Sequence, residues 1–303
     1  MNRPPRVAVL GNLNYDVTLG ISDIPLKKEK SRAKWCFQSA GGAPANVALW
    51  LHRLGFSTSL FSVVGEDDFG FLAQSYLKRF GLDCSETVIT DRSIDTGLAV
   101  VFAHDDHNSM ITTGGSYRSA EWEALVNSIQ VENFDHVHCH HRYIKVVRQM
   151  INDKGLQKTV SLSTDLNGMY DQEIVAASSF TFTNEEELVR ALSGKSWLDD
   201  ASRTIREAEQ IMYVTKGGEG SVRIGKDGII ESAAVGAKVV DTTGGGDAYA
   251  AGAIAGELFK KEPIRCMELG HLLAAVVVSH PTAQPVVSTV DDTLIEMKKI
   301  LES

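Results

Sequence analysis

The sequence has few cysteines and no long apolar run. Its four cysteines are scattered and form no Cys-x-x-Cys pair: Cys36, Cys84, Cys139 and Cys266. This spacing argues against a disulfide framework or a structural zinc site and favours reduced thiols. The longest apolar run, Leu272–Val278, is too short to cross a membrane, and residues 1–11 hold no secretion signal core. We therefore expect a cytoplasmic protein without a membrane partner.

Positive charge is also in deficit. The chain carries 30 Lys and Arg against 39 Asp and Glu, which gives a formal net charge of −9. This balance argues against nucleic acid as the main partner, although a nucleotide ligand needs only a local positive field. The hydrophobic content of 43% and charged content of 23% are those of an ordinary globular protein.

Two familiar phosphate-binding motifs are missing. No Gly-x-x-x-x-Gly-Lys-Ser/Thr occurs, so there is no P-loop. The dinucleotide fingerprint fails because Tyr249 stands where its third glycine should be. A phosphate site in this chain must therefore be built differently.

The stretch Asp241–Gly252, Asp-Thr-Thr-Gly-Gly-Gly-Asp-Ala-Tyr-Ala-Ala-Gly, is the most informative in the chain. It joins a β-type run, Ala234–Val240, to a small-residue helical run. Glycine N–H groups and a helix N-terminus together favour phosphate oxygens. Asp247 would repel that anion unless it faces an incoming nucleophile, as a general base in phosphoryl transfer does. The alternative is a tight β–α turn in which the aspartate is an N-cap.

Short β-branched runs alternate with amphipathic segments through most of the chain. The alternation predicts a mostly parallel sheet with helices on both faces, in a single domain spanning residues 1–303, with ligands beyond the carboxyl ends of the strands. The predicted strands are Val7–Gly11, Ser59–Gly65, Val137–His141, Thr159–Asp165, Phe180–Thr183 and Met212–Thr215. The predicted helices are Ala45–Leu54, Phe69–Phe80, Ala120–Ile129, Ile144–Lys154, Glu185–Leu192, Asp200–Glu209, Asp247–Phe259, Met267–Ser279 and Asp291–Leu301.

Two segments, residues 14–38 and 94–113, read as extended strands without helical partners. We expect them to form a small β-sheet that covers the cleft as a lid. The basic run at Lys27, Lys28, Lys30, Arg32 and Lys34 is either part of this lid or a solvated loop. Exposed edges of lid strands favour pairing with a second subunit, so a homodimer through the lid is an open expectation.

Further polar motifs precede or interrupt the predicted helices. In Gly41-Gly42-Ala43-Pro44-Ala45-Asn46, proline suits a first helical turn and Asn46 can bond to hydroxyl groups. The other motifs, in chain order, are Gly65–Gly70, Asp165-Leu166-Asn167, Asn184–Glu187 and Val214–Gly220.

In this order and spacing the chain resembles the ribokinase-like (PfkB) carbohydrate kinase family, from about Val7 to Gln284. The most specific signals are Gly-Gly-x-x-x-Asn near the N-terminus and Asp-Thr-x-Gly-x-Gly-Asp near the C-terminus. The resemblance implies a three-layer α/β/α sandwich with a β-sheet lid. It also implies transfer of the γ-phosphoryl group of ATP to a hydroxyl, usually a sugar's primary alcohol, with Mg²⁺ and in some relatives K⁺.

The resemblance also assigns roles by position. It implies Asp247 as catalytic base and the N–H groups of Gly244, Gly245 and Gly246 as the anion hole; Gly245 stands where alanine is usual. Sugar hydroxyls would bind Asp16, Gly42 and Asn46. The nucleotide side would use Asn184, Lys216, Gly218 and Gly220, with Glu187 holding Mg²⁺ through water. Asp241 and Thr243 would form part of a K⁺ site completed by carbonyls of residues 280–288.

Departures from the family pattern leave the acceptor open. Met169 replaces an arginine found in many relatives, which disfavours an anionic substrate. A nucleoside kinase of the same fold is one rival, with Trp35 and Phe37 as stacking candidates; a catalytically silent sugar- or nucleotide-binding regulator is another. The histidines at 136, 138, 140 and 141 suggest either a metal site or a polar strand end near substrate, and the second reading is favoured.

Overall fold

The computed structural model describes residues 3–24, 30–104, 108–156, 159–164, 172–192, 197–205, 210–285 and 288–303. The strands are β1 Arg6–Leu10, β2 Asn14–Gly20, β3 Trp35–Gly41, β4 Ser57–Gly65, β5 Val88–Asp91, β6 Gly97–Ala103, β7 Asn108–Thr112, β8 His136–His140, β9 Thr159–Ser163, β10 Phe180–Asn184, β11 Ile211–Thr215, β12 Ser221–Gly225 and β13 Gly228–Ser232. The helices are α1 Ala43–Arg53, α2 Asp68–Arg79, α3 Glu121–Ser128, α4 Ile144–Asp153, α5 Gln172–Ala176, α6 Glu185–Leu192, α7 Trp197–Thr204, α8 Gly245–Leu258, α9 Pro263–Val278 and α10 Ser288–Glu302.

The main sheet has nine strands in the order β13-β12-β11-β10-β9-β8-β1-β4-β5. All pairs from β11 to β5 are parallel, and β12 and β13 add an antiparallel hairpin at one edge. Alternate residues of β1 pack into different cores, as the two-residue period of a strand requires. Val7 and Val9 join the core of α1, α8 and α9, whereas Ala8 and Leu10 join that of α3 and α4. The predicted three-layer architecture is confirmed.

The predicted small sheet is confirmed as a separate four-stranded sheet, ordered β3-β2-β6-β7. It is built from the two segments that lacked helical partners. Lys30, Arg32 and Lys34 lie in an exposed loop before β3, while Lys27 and Lys28 fall outside the described residues. In the described part of this segment, the reading as a solvated loop is the one that fits.

One β-type run of the sequence does not form a strand. Ala234–Val240 pairs with no strand, because the chain leaves the sheet after β13. The N–H of Val240 instead donates to the carbonyl oxygen of Val278, at the end of α9, over 2.7 Å. The valines that suggested a strand form part of a cavity wall described below. Among the described residues no helix is both long enough and apolar enough to span a bilayer.

Two histidines of β8 are buried inside the sheet and hydrogen-bonded to β9. The Ser161 hydroxyl lies 2.7 Å from Nε2 of His136 and 2.8 Å from Nδ1 of His138, and Thr159 Oγ1 lies 2.7 Å from His136 Nδ1. Burial lowers the pKa of both imidazoles from 6.5 to about 3. Both rings are therefore neutral in the folded protein at ordinary pH.

This burial predicts a pH-dependent stability contribution. Below pH 6.5 the unfolded chain binds a proton at His138 that the folded chain does not accept, so stability is lost as the pH falls. The stability advantage of wild type over His138→Gln should shrink by about 1 kcal/mol between pH 7.5 and 5.5. Urea unfolding at both pH values measures it. A difference between the two proteins that is independent of pH would contradict the assignment.

Candidate active site

Two cavities meet at the N-terminus of α8. The larger, about 620 Å³, lies beyond the carboxyl ends of the main-sheet strands, with the small sheet contributing Ala99, Met110 and Thr112. The smaller, about 380 Å³, is walled by residues 234–239 and by α9. Thr215, Gly246 and Tyr249 line both. Two molecules, one bound in each cavity, would therefore meet at the glycine loop.

Most residues expected at a site are brought together here. The larger cavity is lined by Asp16, Gly42, Asn46, Asn184, Glu187, Thr243, Gly244, Gly246 and Asp247. The smaller is lined by Gly218, Gly220, Gly245 and Gly246. Lys216 and Asp241 line neither, although both adjoin them in sequence. Asp165 and Asn167 lie outside the described residues.

The glycine loop turns sharply into α8. Gly244, the N-cap residue, has φ 76°, in the left-handed region where L side chains are strained. A Cβ at Gly244 would lie only 2.4 Å from that of Ala283. The N–H of Gly245 donates to the carbonyl oxygen of Thr242 over 3.2 Å, so it closes the turn in this conformation. A helix of 14 residues then projects its N-terminal partial charge at the junction of the cavities.

Asp247 stands in the first turn of α8, at the floor of the larger cavity. Its Oδ2 accepts a 2.7 Å hydrogen bond from Nδ2 of Asn46, which belongs to α1. Burial raises the pKa of Asp247 to about 7, and the bond from Asn46 opposes that rise. A carboxyl group with a pKa near neutrality can both accept and release a proton, which suits a general base.

Gln284 supports this pair and was missed from the sequence. Its Nε2 donates over 2.7 Å to Oδ1 of Asn46, so the asparagine amide is held from both ends. Gln284 itself is fully buried. The hydroxyl of Tyr76 bonds to its carbonyl oxygen over 3.0 Å. The only signal in the sequence was its position in the segment 279–284. No local pattern indicates that this glutamine is buried or that it bonds to α1.

Asp16 faces Asp247 from β2. It is buried, and its Oδ1 has no hydrogen-bond partner. Burial, followed by the charges of Asp247 and Asp241, raises the pKa of Asp16 to about 7. Gly41 permits this placement, because a Cβ there would lie 2.0 Å from the Asp16 carboxyl carbon. The site therefore crowds carboxyl groups together, which a hydroxyl-bearing ligand could relieve by donating hydrogen bonds.

Asn184 and Glu187 lie at the end of β10 and the start of α6. Asn184 Oδ1 accepts from the Glu187 N–H over 2.9 Å, which makes the asparagine a helix cap. Glu187 Oε2 accepts from the Thr183 hydroxyl over 2.9 Å. Both side chains are thus fixed beside the larger cavity.

Asp241 precedes the glycine loop and is buried. Its Oδ1 accepts from the Thr243 N–H over 2.8 Å and from Nδ2 of Asn108 over 2.5 Å. Its Oδ2 is buried without a hydrogen-bond partner. Asn108 comes from β7 of the small sheet, and sequence reasoning missed it because only the fold brings β7 to this loop.

Four further candidate side chains from the sequence can now be placed. Lys216 directs its Nζ toward Glu231 Oε2, 3.7 Å away. Trp35 and Phe37 pack edge to face with ring centroids 5.5 Å apart, and neither is in the described lining of the larger cavity. His140, at the end of β8, does line that cavity, and burial lowers its pKa to about 3. The reading of β8 as a polar strand end at the site fits this placement.

The fold and the site together are those of a small-molecule kinase. The family model for pfkB family carbohydrate kinases matches residues 4–290. The chain therefore belongs to the PfkB carbohydrate kinase family. It is accordingly a phosphotransferase with an alcohol group as acceptor, and the expected class of sugar or nucleoside kinase is confirmed.

Individual relatives differ in acceptor. The chain is 27% identical over 295 residues to an ATP-dependent ribose-1-phosphate kinase of Halopiger xanaduensis, covering 93% of this chain and 96% of the relative. It is 26% identical over 306 residues to a nucleoside kinase of Methanocaldococcus jannaschii, covering 97% of each. Arabidopsis thaliana ribokinase, solved with ribose and ATP, has the same fold: TM-score 0.77, 22% identity, covering 98% of this chain and 99% of that one.

The glycine loop gives a matched pair of stability predictions. Gly244→Ala should lower the free energy of unfolding by about 1 to 3 kcal/mol, because the new Cβ meets Ala283 in a left-handed conformation. Gly246→Ala should change it by less than about 1 kcal/mol, because nothing lies within 4 Å of its added Cβ. Urea unfolding of both variants measures the contrast. Equal losses would show that the loop conformation described here is wrong.

Proposed function

We propose that the protein transfers the γ-phosphoryl group of ATP to a hydroxyl of a neutral sugar or nucleoside, with Asp247 as general base. One observation carries the proposal: the Asp247 carboxyl lies at the cavity floor beside the glycine loop, held by Asn46, with a pKa of about 7. That arrangement is what in-line attack by an alcohol on a phosphoryl group requires.

In the proposed reaction the acceptor sits against Asp16, Gly42 and Asn46 in the larger cavity. Its hydroxyl gives its proton to Asp247 as the oxygen attacks phosphorus. Asn46 holds the carboxylate toward the nucleophile, and Gln284 keeps Asn46 from rotating. The N–H groups of Gly244 and Gly246 and the N-terminus of α8 stabilise negative charge on the transferred group, and the N–H of Gly245 joins them only when it leaves the Thr242 carbonyl oxygen. The small sheet excludes water, which would otherwise compete as acceptor.

The nucleoside part of ATP is placed in the smaller cavity, along Gly218, Gly220 and residues 234–239. The phosphate chain would then reach the larger cavity at Gly246, which lines both. Lys216 precedes Gly218 and Gly220 in the chain. In its ion pair with Glu231, the lysine side chain is mostly covered and the glutamate side chain is exposed. The lysine therefore serves the phosphates only after it leaves Glu231.

Two cations fit residues of the site. Asn184 and Glu187 offer the oxygen donors that Mg²⁺ prefers, and both line the larger cavity. Bound Mg²⁺ would neutralise phosphate charge during transfer. Asp241 keeps an unpartnered buried Oδ2, which fits a monovalent cation such as K⁺ held together with Thr243. Such a cation would offset negative charge next to the glycine loop.

The charge of the larger cavity supports a neutral acceptor. In its described lining the ionised or titrating groups are Asp16, Glu187 and Asp247, and no Lys or Arg is among them. A phosphorylated sugar would place a second dianion against these carboxyl groups, and the described lining offers no Lys or Arg to pair with it. A free sugar or a nucleoside meets no such penalty. The named activities of the relatives include a ribose-1-phosphate kinase as well as nucleoside kinases and a ribokinase, so a phosphorylated sugar is the competing acceptor that this charge disfavours.

A substrate panel tests the proposal. ADP release from Mg-ATP should depend on a neutral pentose, hexose or nucleoside and should be much weaker with sugar phosphates. Asp247→Asn should lower kcat by about 10²- to 10⁴-fold and leave nucleotide affinity nearly unchanged. Retention of more than about a tenth of the wild-type rate would remove Asp247 as the base.

The pH profile gives an independent check. Because the base must be ionised, kcat/KM should fall about tenfold per pH unit below an apparent pKa near 7, which Asp16 and Asp247 share. Asn46→Ala removes the hydrogen bond that lowers the pKa of Asp247, so the acid limb should move to higher pH. Asp16→Asn should leave an acid limb in place. A flat profile from pH 5.5 to 7.5 would contradict the assignment.

A further inference from the structure

The edge strand of the small sheet spans both parts of the site. Residues of β7 alternate between its faces, so Asn108, Met110 and Thr112 share one face. Met110 and Thr112 line the larger cavity, whereas Ile111 on the other face is 64% exposed. One short strand therefore carries residues that would touch the acceptor and a residue that reaches the glycine loop.

Asn108 makes that second contact with its side-chain amide. Its Nδ2 lies 2.5 Å from Asp241 Oδ1 and 3.5 Å from Thr242 Oγ1. Nothing local dictates the contact, since the residues are 133 positions apart in the chain. Register places Asn108 opposite Ala103 at the end of the β6–β7 pair, the part of the small sheet nearest this loop.

Asp241 connects Asn108 to the backbone of the glycine loop. The same Oδ1 that accepts from Asn108 also accepts from the N–H of Thr243, the residue before Gly244. A carboxylate held by both donors fixes the backbone where the glycine turn begins. Without Asn108, one donor is lost and the buried Asp241 keeps two oxygens that are poorly satisfied.

We propose that Asn108 is a positioning residue that latches the small sheet to the glycine loop through Asp241. The proposal rests on the phosphoryl-transfer role given above to that loop. An acceptor that contacts Met110 and Thr112 holds β7 against the larger cavity. It thereby preserves the hydrogen bond from Asn108 to Asp241. Acceptor binding and ordering of the glycine loop are thereby coupled.

Three variants test the latch. Asn108→Ala removes the amide, Asn108→Asp is nearly isosteric but sets a carboxylate against Asp241, and Ser109→Ala is the control on the opposite face of β7. Asn108→Ala should lower kcat about 5- to 10-fold, and Asn108→Asp about 10- to 100-fold, with a higher acceptor KM in both. Nucleotide affinity should stay close to wild type in both Asn108 variants, although the loss of a donor to the buried Asp241 lowers their thermal midpoints. Ser109→Ala should match wild type in every measurement.

Hydrogen exchange provides a readout that needs no turnover. Backbone amides of residues 109–112 should exchange at least about fivefold faster in both Asn108 variants than in wild type or Ser109→Ala. A residue with only a stabilising role would lower the thermal midpoint and leave acceptor KM unchanged. The latch is refuted if both Asn108 variants keep kcat and acceptor KM within twofold, or if exchange in β7 does not change. A wild type inactive on every acceptor would refute the proposed function, and exchange would still decide the latch.

Discussion

The hydrogen bond between Asn46 and Asp247 is the contact on which the site depends. It joins the first turns of α1 and α8, which are 201 residues apart in sequence, over 2.7 Å. Both helices start at the carboxyl edge of the parallel sheet, so their N-termini converge at one place. Gln284, fully buried, extends the bond into the core. The proposed acceptor-binding asparagine and the proposed catalytic carboxyl group are thus positioned by the same packed elements.

The cost of this arrangement is a concentration of negative charge. Asp16, Asp241 and Asp247 approach one another closely enough that the first feels the other two. Burial raises the pKa of both Asp16 and Asp247 to about 7, so each carboxyl group gains or loses its proton near neutral pH. Under the proposed function, this negative field would disfavour a phosphorylated acceptor and favour hydroxyl donors and cations. The same physical feature therefore bears on the base, on the choice of acceptor and on the proposed cation sites.

The small sheet adds a second connection across the site. Its strand β7 brings Asn108 into contact with Asp241, and its strand β2 brings Asp16 near Asp241 and Asp247. β7 is held by its antiparallel pairing with β6 and by the Asn108 contact with Asp241, and its Met110 is half-exposed over the larger cavity. Phe37 lies on β3 and packs against Trp35. Neither ring is in the described lining of the larger cavity, so neither is placed to stack on a ligand there.

The sequence by itself determined the fold class, the glycine loop and most residues of the candidate site, because these depend on local chemistry: two-residue and helical periodicities, glycine and proline positions, and motif order. The β-type run Ala234–Val240 is not a strand. β-branched residues form a strand only where a second strand is present to pair with, and Val240 bonds to the end of α9 instead. Only the tertiary structure decided that Asn108 and Gln284 support Asp241 and Asn46, and that Lys216 turns toward Glu231. Such pairings depend on distances between remote elements, which no local pattern encodes.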